Sequence, residues 1–261
     1  MQYVYMNTNT TIAQAPAATQ EAPASSIVRL QGVSKIYGSG DAQVRALDDV
    51  SVGFGAGEFT AIMGPSGSGK STMMHILAGL DAPTSGHVFV EDTDITALKD
   101  TALTKLRRDR IGFVFQDGQL LPELPTQENI AMPLMLAGTP KSQAIARARE
   151  ILTNLGLDGA GPYRPGQLSG GQAQRVAIGR ALATNPLVIF ADEPTGALDQ
   201  ATGGEVMSLL TSACASTGAS LVLVTHDPGA VTALNPQRVL LLPDADEDLW
   251  DDSYLDLVTL T

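Results

Sequence analysis

Short apolar runs separated by turn residues mark the first part of the chain. Ile27-Val28-Arg29-Leu30 and the run 44–52 alternate with glycine-rich punctuation, which predicts antiparallel strands. The run 59–63 is different. It is continuously apolar and ends in glycine, the pattern of a parallel strand buried on both faces. Residues 71–80 then place Met74, Leu77 and Ala78 at helical spacing, and 88–90 and 111–115 read as further strands. Across 142–155, Ile145, Ala148, Ile151, Leu152 and Leu155 recur every three or four positions, leaving Arg147, Arg149 and Glu150 for solvent, so an amphipathic helix is predicted. Two more buried strands, 187–191 and 221–225, flank a helical stretch around 204–214. Strand and helix in alternation predict an α/β domain with a mainly parallel sheet, preceded by a small antiparallel β subdomain and interrupted by helices over roughly 117–185.

Composition narrows the class. The 261 residues are 44% hydrophobic, enough for a sizeable core. A net charge of -12 argues against nucleic acid as a partner, because phosphate contacts require Lys and Arg. The one cysteine, Cys214, cannot form a disulfide within the chain and has no metal-ligand spacing; it fits a reducing compartment and reads as structural or incidental, as does Trp250. No apolar run reaches the length of a membrane helix, and the first 26 residues have neither the basic nor the apolar region of a secretory signal. Their Ala, Pro, Thr and Gln content predicts a disordered leader, with an ordered domain over 27–243 and an acidic, solvated extension over 244–261.

Chemistry enters with the nonapeptide GPSGSGKST, residues 64–72, which satisfies G-x-x-x-x-G-K-[ST] between a predicted strand and a predicted helix. Gly64, Gly67 and Gly69 let the backbone turn its N–H groups into one concavity, and Ser66, Ser68 and Thr72 belong to the same cradle. The helix start adds unpaired N–H groups and a positive dipole end. Lys70 is expected to reach the β- and γ-phosphates of a nucleotide and Ser71 to bind Mg²⁺. The strand 187–191 delivers Asp192 and Glu193 at its C-terminal end, where ligands bind in such sheets. Asp192 is expected in the Mg²⁺ shell, and Glu193 as the general base for the attacking water. Leu168-Ser169-Gly170-Gly171-Gln172 opens a further helix, patterned by Val176, Ile178 and Leu182 with Arg175 and Arg180 interspersed. It is a second anion-binding helix start. One phosphate loop and a second anion site are reconciled by two copies arranged head-to-tail, each lending its Ser169 and Gly171 end to the other's γ-phosphate.

With these motifs in hand, the stretch 27–242 resembles the ATP-binding subunit of an ABC transporter. The resemblance implies that Tyr37 in SKIYG stacks on adenine, that Gln116 senses Mg²⁺ and the attacking water, that Asp199 in Ala197-Leu198-Asp199 lies at a dimer interface, and that His226 contacts the γ-phosphate as part of the catalytic set with Glu193 and Lys70. It implies ATP and Mg²⁺ as cofactors, a second copy of the chain and an integral membrane permease as partners, and a cytoplasmic position at the inner face of the membrane. The segments 118–138 and 164–199 are similar to the lipoprotein-release and macrolide-export type, whose permeases have few transmembrane helices and a large extracytoplasmic domain. Asp117-Gly118-Gln119 and Glu123-Leu124-Pro125 depart from that type in the region facing the permease. Two other readings stay open: a soluble ABC-type ATPase acting on DNA or ribosomes, and the ATPase of a peptide-sensing or detoxification complex. The first is disfavoured by acidity, and by a span from Thr72 to Leu168 too short for a long coiled coil.

Overall fold

The structure, a computed structural model, describes residues 2–5 and 26–242. The chain divides into two compact units: residues up to 103 together with those from 222 form one, and residues 104–221 the other.

The first unit starts with β1 (Gln2–Tyr5). The long strands β2 (Ser26–Tyr37) and β3 (Val44–Gly55) follow and pair antiparallel. Val28, Leu30, Val33, Leu47, Val50, Val52 and Phe54 are all buried along this ribbon. The switch from even to odd positions between Leu30 and Val33 falls at a register shift in the pairing. An extra residue there flips the alternation, which returns the apolar side chains to the core. In β4 (Phe59–Met63) all residues but the first are buried, as a strand covered on both faces requires. Helix α1 (Lys70–Leu77) is shorter than the apolar spacing predicts, because Ala78 caps it and Gly79 enters the left-handed region at φ +64. It packs against β2, β3 and β5 (Ser85–Val90), and β5 with the two-residue β6 (Thr93–Asp94) completes a sheet ordered β3-β2-β5-β6.

Helix α2 (Asp100–Arg110) leads into the second unit and has no buried residue. There β7 (Ile111–Val114) is followed by three helices, α3 (Thr126–Leu136), α4 (Lys141–Asn154) and α5 (Gly170–Leu182). They pack on one another, and Ile130, Ala144, Ala148, Ile151, Val176 and Ile178 along them are all buried. Strand β8 (Val188–Asp192) pairs parallel with β7 in register Ile111↔Val188, and α6 (Gln200–Thr217) follows it.

The unit boundary falls within β9 (Ser220–Val224); α7 (Pro228–Leu234) and β10 (Arg238–Leu241) return the chain to the first unit. Its parallel strands are ordered β1-β10-β4-β9. Arg238↔Thr60 and Leu241↔Met63 set the β10–β4 register, over a cluster of Ala61, Met63, Val231, Val239 and Leu241. Parallel pairing and a separate antiparallel sheet are both as the sequence pattern predicts.

One expectation is corrected. Gln2–Tyr5, read as part of a disordered leader, is a strand that pairs parallel with β10 along Gln2↔Arg238 to Tyr5↔Leu241. Its alternation of aromatic and β-branched residues suits a strand, a local signal that the leader's average composition hides. Residues 6–25 and the acidic extension lie outside the described residues.

Candidate functional site

The phosphate loop lies in the first unit, between β4 and α1. A Cβ on Gly64 would stand 2.6 Å from the Leu242 carbonyl oxygen, and one on Gly69 only 2.3 Å from the Ala46 carbonyl oxygen. Gly69 caps α1 in the left-handed region at φ +87, so neither its conformation nor its surroundings admit another residue. Lys70, the first residue of α1, is 8% exposed, and its ammonium donates to the carbonyls of Gly64 (2.7 Å) and Pro65 (2.6 Å). The Ser68 hydroxyl is buried with no hydrogen-bond partner. A buried hydroxyl left unpaired costs about 1–3 kcal/mol, which a phosphate oxygen accepting from it would recover. Ser66, Gly67 and Ser71 are exposed at the mouth of the loop, with Thr72 half-buried behind them. These residues fit a polyphosphate: a cation, a helix start and an orphaned hydroxyl share one turn of chain.

Tyr37 ends β2 in the same unit, paired with Val44 of β3. Its ring is 42% exposed, while its hydroxyl donates to Asp81 Oδ2 at 2.9 Å. His226 follows buried Thr225 and is itself exposed just before α7, whose first turn is capped by Asp227 accepting from the Gly229 N–H.

The second unit holds the carboxylates. Val188, Ile189, Phe190 and Ala191 are fully buried, and the strand surfaces at half-buried Asp192 and Glu193. Glu193 has φ +42, in the left-handed region where a residue with a Cβ is strained by roughly 1–2 kcal/mol. The turn is closed by the Gly196 N–H donating to the Glu193 carbonyl at 3.0 Å. A Cβ on Gly196 would meet the Gln116 side-chain amide nitrogen at 2.8 Å. Gln116 and the turn carrying Glu193 are thus brought together, through a glycine that sequence reasoning passed over. Mg²⁺ prefers hard oxygen donors, and the Ser71 hydroxyl in the first unit and the Asp192 carboxylate in the second are each of that kind. Among the described residues no cluster of three metal-binding side chains exists.

The helix start at Ser169 is a capping box. The Ser169 hydroxyl accepts from the Gln172 N–H (3.3 Å), and the Gln172 side chain accepts from the Ser169 N–H (2.9 Å). Ser169 and Gly170 are exposed, whereas Gly171 is buried, with Thr202 Cγ2 2.4 Å from where its Cβ would be. Gly171 therefore has a packing role against α6. The side chain of Leu198 lies 3.1 Å from the Cβ position of Gly170, which joins the segment 197–199 to the helix start. Asp199 caps α6, and hydrogen bonds from Thr202 hold its carboxyl below the usual range.

Spacing alone shows Arg180 and Gln174 only as polar positions on a helix. In the structure the Arg180 guanidinium donates to the carbonyls of Gln119 (2.6 Å) and Gly118 (2.8 Å), and Gln174 donates to the Phe115 carbonyl (2.9 Å). Burial lowers the pKa of Arg180, opposed by the nearby Asp117 carboxylate. Buried Asn129 accepts from the Leu121 N–H and donates to the carbonyls of Leu121 and Leu124. The segment after Gln116 is tied at both ends to α5 and α3 within its unit.

A family profile described as "ABC transporter" matches residues 47–196. The lipoprotein-releasing system ATP-binding protein LolD of Chromohalobacter salexigens is 42% identical over 216 residues, covering 83% of this chain and 90% of that protein. The macrolide export ATP-binding/permease protein MacB of Photorhabdus laumondii is 44% identical over 220 residues; the chain spans 34% of its length. A dimeric structure of the ATP-binding cassette MJ0796, in a post-hydrolysis state bound to ADP and Pi, is similar at a TM-score of 0.75 and 44% identity, over 82% of this chain and 94% of that one. With the phosphate loop, the strained glutamate turn and these likenesses together, the chain belongs to the ABC transporter family, as an ABC-type ATPase cassette.

Proposed function

We propose that this chain is the ATP-hydrolysing subunit of a transporter, driving a separate membrane permease of the lipoprotein-release or macrolide-export type. The reading rests above all on Glu193, a carboxylate held in a strained turn with the Gln116 amide packed against the turn's Gly196. Strain of this kind persists where it serves chemistry. The relative covered to 90% of its length is by name a lipoprotein-releasing ATP-binding protein, and the chain spans about a third of the ATP-binding/permease relatives. No described helix is long and apolar enough to cross a membrane; the proposed position at the membrane is through the permease.

The mechanism follows from the residues. Phosphate oxygens accept from the loop N–H groups and the Ser68 hydroxyl, and the Lys70 ammonium turns from the Gly64 and Pro65 carbonyls to the β- and γ-phosphates. Ser71 and Asp192 would be the residues to hold Mg²⁺, which when bound would supply charge compensation for the phosphoryl group. Glu193 takes a proton from water as the water oxygen bonds to the γ-phosphorus; the bond to the β–γ bridging oxygen breaks and ADP leaves. His226 and Gln116 contact the γ-phosphate and the attacking water. Two copies pair head-to-tail, the exposed Ser169 of each closing the other's γ-phosphate, with Asp199 at the interface. Hydrolysis loosens the pair, and this two-state change is what the permease uses.

The test is the ATPase rate of the purified chain and of Glu193→Gln. Loss of the general base lowers kcat by roughly 10²–10⁴-fold while ATP binding is retained. Hydrolysis by the variant at the parental rate would remove Glu193 from this role.

A further inference from the structure

The ring read as the adenine platform is held by Lys35, two residues before it in SKIYG, and by Asp81, far from it in the chain. Lys35 Nζ donates to Asp81 Oδ1 (2.8 Å) and to the Ala82 carbonyl (2.7 Å), and stands 4.8 Å from the centroid of the Tyr37 ring. The other Asp81 oxygen, Oδ2, accepts from the Tyr37 hydroxyl (2.9 Å). Asp81 itself is fixed: its N–H donates to the His75 carbonyl in α1, and its Oδ1 also accepts from the Ala82 N–H. One residue therefore links the end of β2, through its carboxylate, to the helix that begins in the phosphate loop, through its backbone N–H.

A second contact joins the same two elements. Tyr37 pairs with Val44, and two residues further along β3 the Ala46 carbonyl lies against Gly69 of the loop. The ring and the loop are thus carried on one strand pair and one helix, all within the first unit. An exposed tyrosine on a strand end samples several rotamers, and freezing it on ligand binding costs affinity. Here the hydroxyl is anchored, and an ammonium near the ring centroid adds a cation–π contact.

We propose that Asp81 and Lys35 are positioning residues for the nucleotide base. They hold the Tyr37 ring in its stacking geometry before ATP arrives and set its distance from the phosphate loop. The proposal rests on Tyr37 being the base platform. Asp81 does not touch ATP; it acts through the Tyr37 hydroxyl. Partial burial pushes the Asp81 carboxyl up in pKa, but the hydrogen bonds from Lys35 and Tyr37 outweigh it and hold it below the usual range, so the anchor is ionised at neutral pH.

The experiment measures ATP affinity in the full chain and in Tyr37→Ala, Tyr37→Phe, Asp81→Ala and the Tyr37→Phe/Asp81→Ala pair. Tripolyphosphate serves as a probe that lacks a base. Tyr37→Ala weakens ATP about tenfold or more, the worth of one base–aromatic stack. Tyr37→Phe and Asp81→Ala each weaken ATP by about 3–10-fold, the worth of one anchoring hydrogen bond. The double variant is no weaker than either single one, because both remove the same link. The loss falls on KM, and tripolyphosphate binds all variants alike. Unchanged ATP affinity in Tyr37→Ala would overturn the platform reading itself. A weakened Tyr37→Ala beside unchanged Tyr37→Phe and Asp81→Ala would leave the platform and overturn the anchor. Additive losses, or equal weakening of tripolyphosphate by Asp81→Ala, would make Asp81 a merely structural residue and likewise overturn the anchor. Should Asp81→Ala fail to fold, Tyr37→Phe against tripolyphosphate decides alone.

Discussion

Single side chains show where this chain spends conformational strain and where it does not. Glu193 and Gln116 stand around a tight turn that only a small residue at Gly196 permits, whereas Cys214, the one thiol, is buried in α6. Burial pushes the Cys214 thiol from its ordinary 9.0 up to about 12. A neutral thiol is a poor nucleophile, so a disulfide-exchange reagent at pH 8 is expected to label Cys214 only on unfolding. The unfolded thiol ionises first, so the contribution of this group to stability is whole below pH 9.0 and is lost as pH rises toward about 12. Stoichiometric labelling of the native protein at pH 8 would show that α6 opens readily.

Among the elements, the polar link between α3 and the segment after Gln116 is the most exposed to test. Asn129 is fully buried and serves three backbone groups of residues 121–124. Asn129→Leu keeps the branched shape but leaves those groups unpaired and overfills the site, and is expected to cost about 2 kcal/mol or more in denaturant unfolding. A cost under 0.5 kcal/mol would mean water replaces the amide. This element also shows what a sequence makes legible. Strands β4, β8 and β9 and helices α4 and α5 were all readable, because burial on one or two faces leaves a periodic or continuous apolar trace. Helix α2, with no buried residue, leaves no such trace. Helix α3 is apolar around most of its circumference and carries Pro133 inside, so its periodicity is blurred. At the site, Lys70, Asp192, Glu193 and Ser169 could be named because each belongs to a contiguous motif. Asp81 and Arg180 could not, since their roles depend on partners 44 and 61 residues distant in the chain. Hydrogen bonds over such separations leave no local pattern.

At the scale of the whole molecule the central claim is a nucleotide-dependent pair. Each chain carries a phosphate loop and, in its other unit, an exposed Ser169 helix start beside Leu198, with Asp199 capping the neighbouring helix. Those surfaces have a purpose if a second copy presents them to the nucleotide. With a net charge of -12, two chains repel each other unless ligand contacts outweigh the repulsion, so pairing should require ATP and strengthen with salt. The most direct measurement is the molar mass of Glu193→Gln by light scattering, with Mg²⁺ present and ATP added or withheld. The account predicts the mass of one chain, 27.2 kDa, without nucleotide and twice that mass with ATP, reverting when ADP replaces it. A variant that binds ATP yet stays at the mass of one chain at every protein concentration would contradict it.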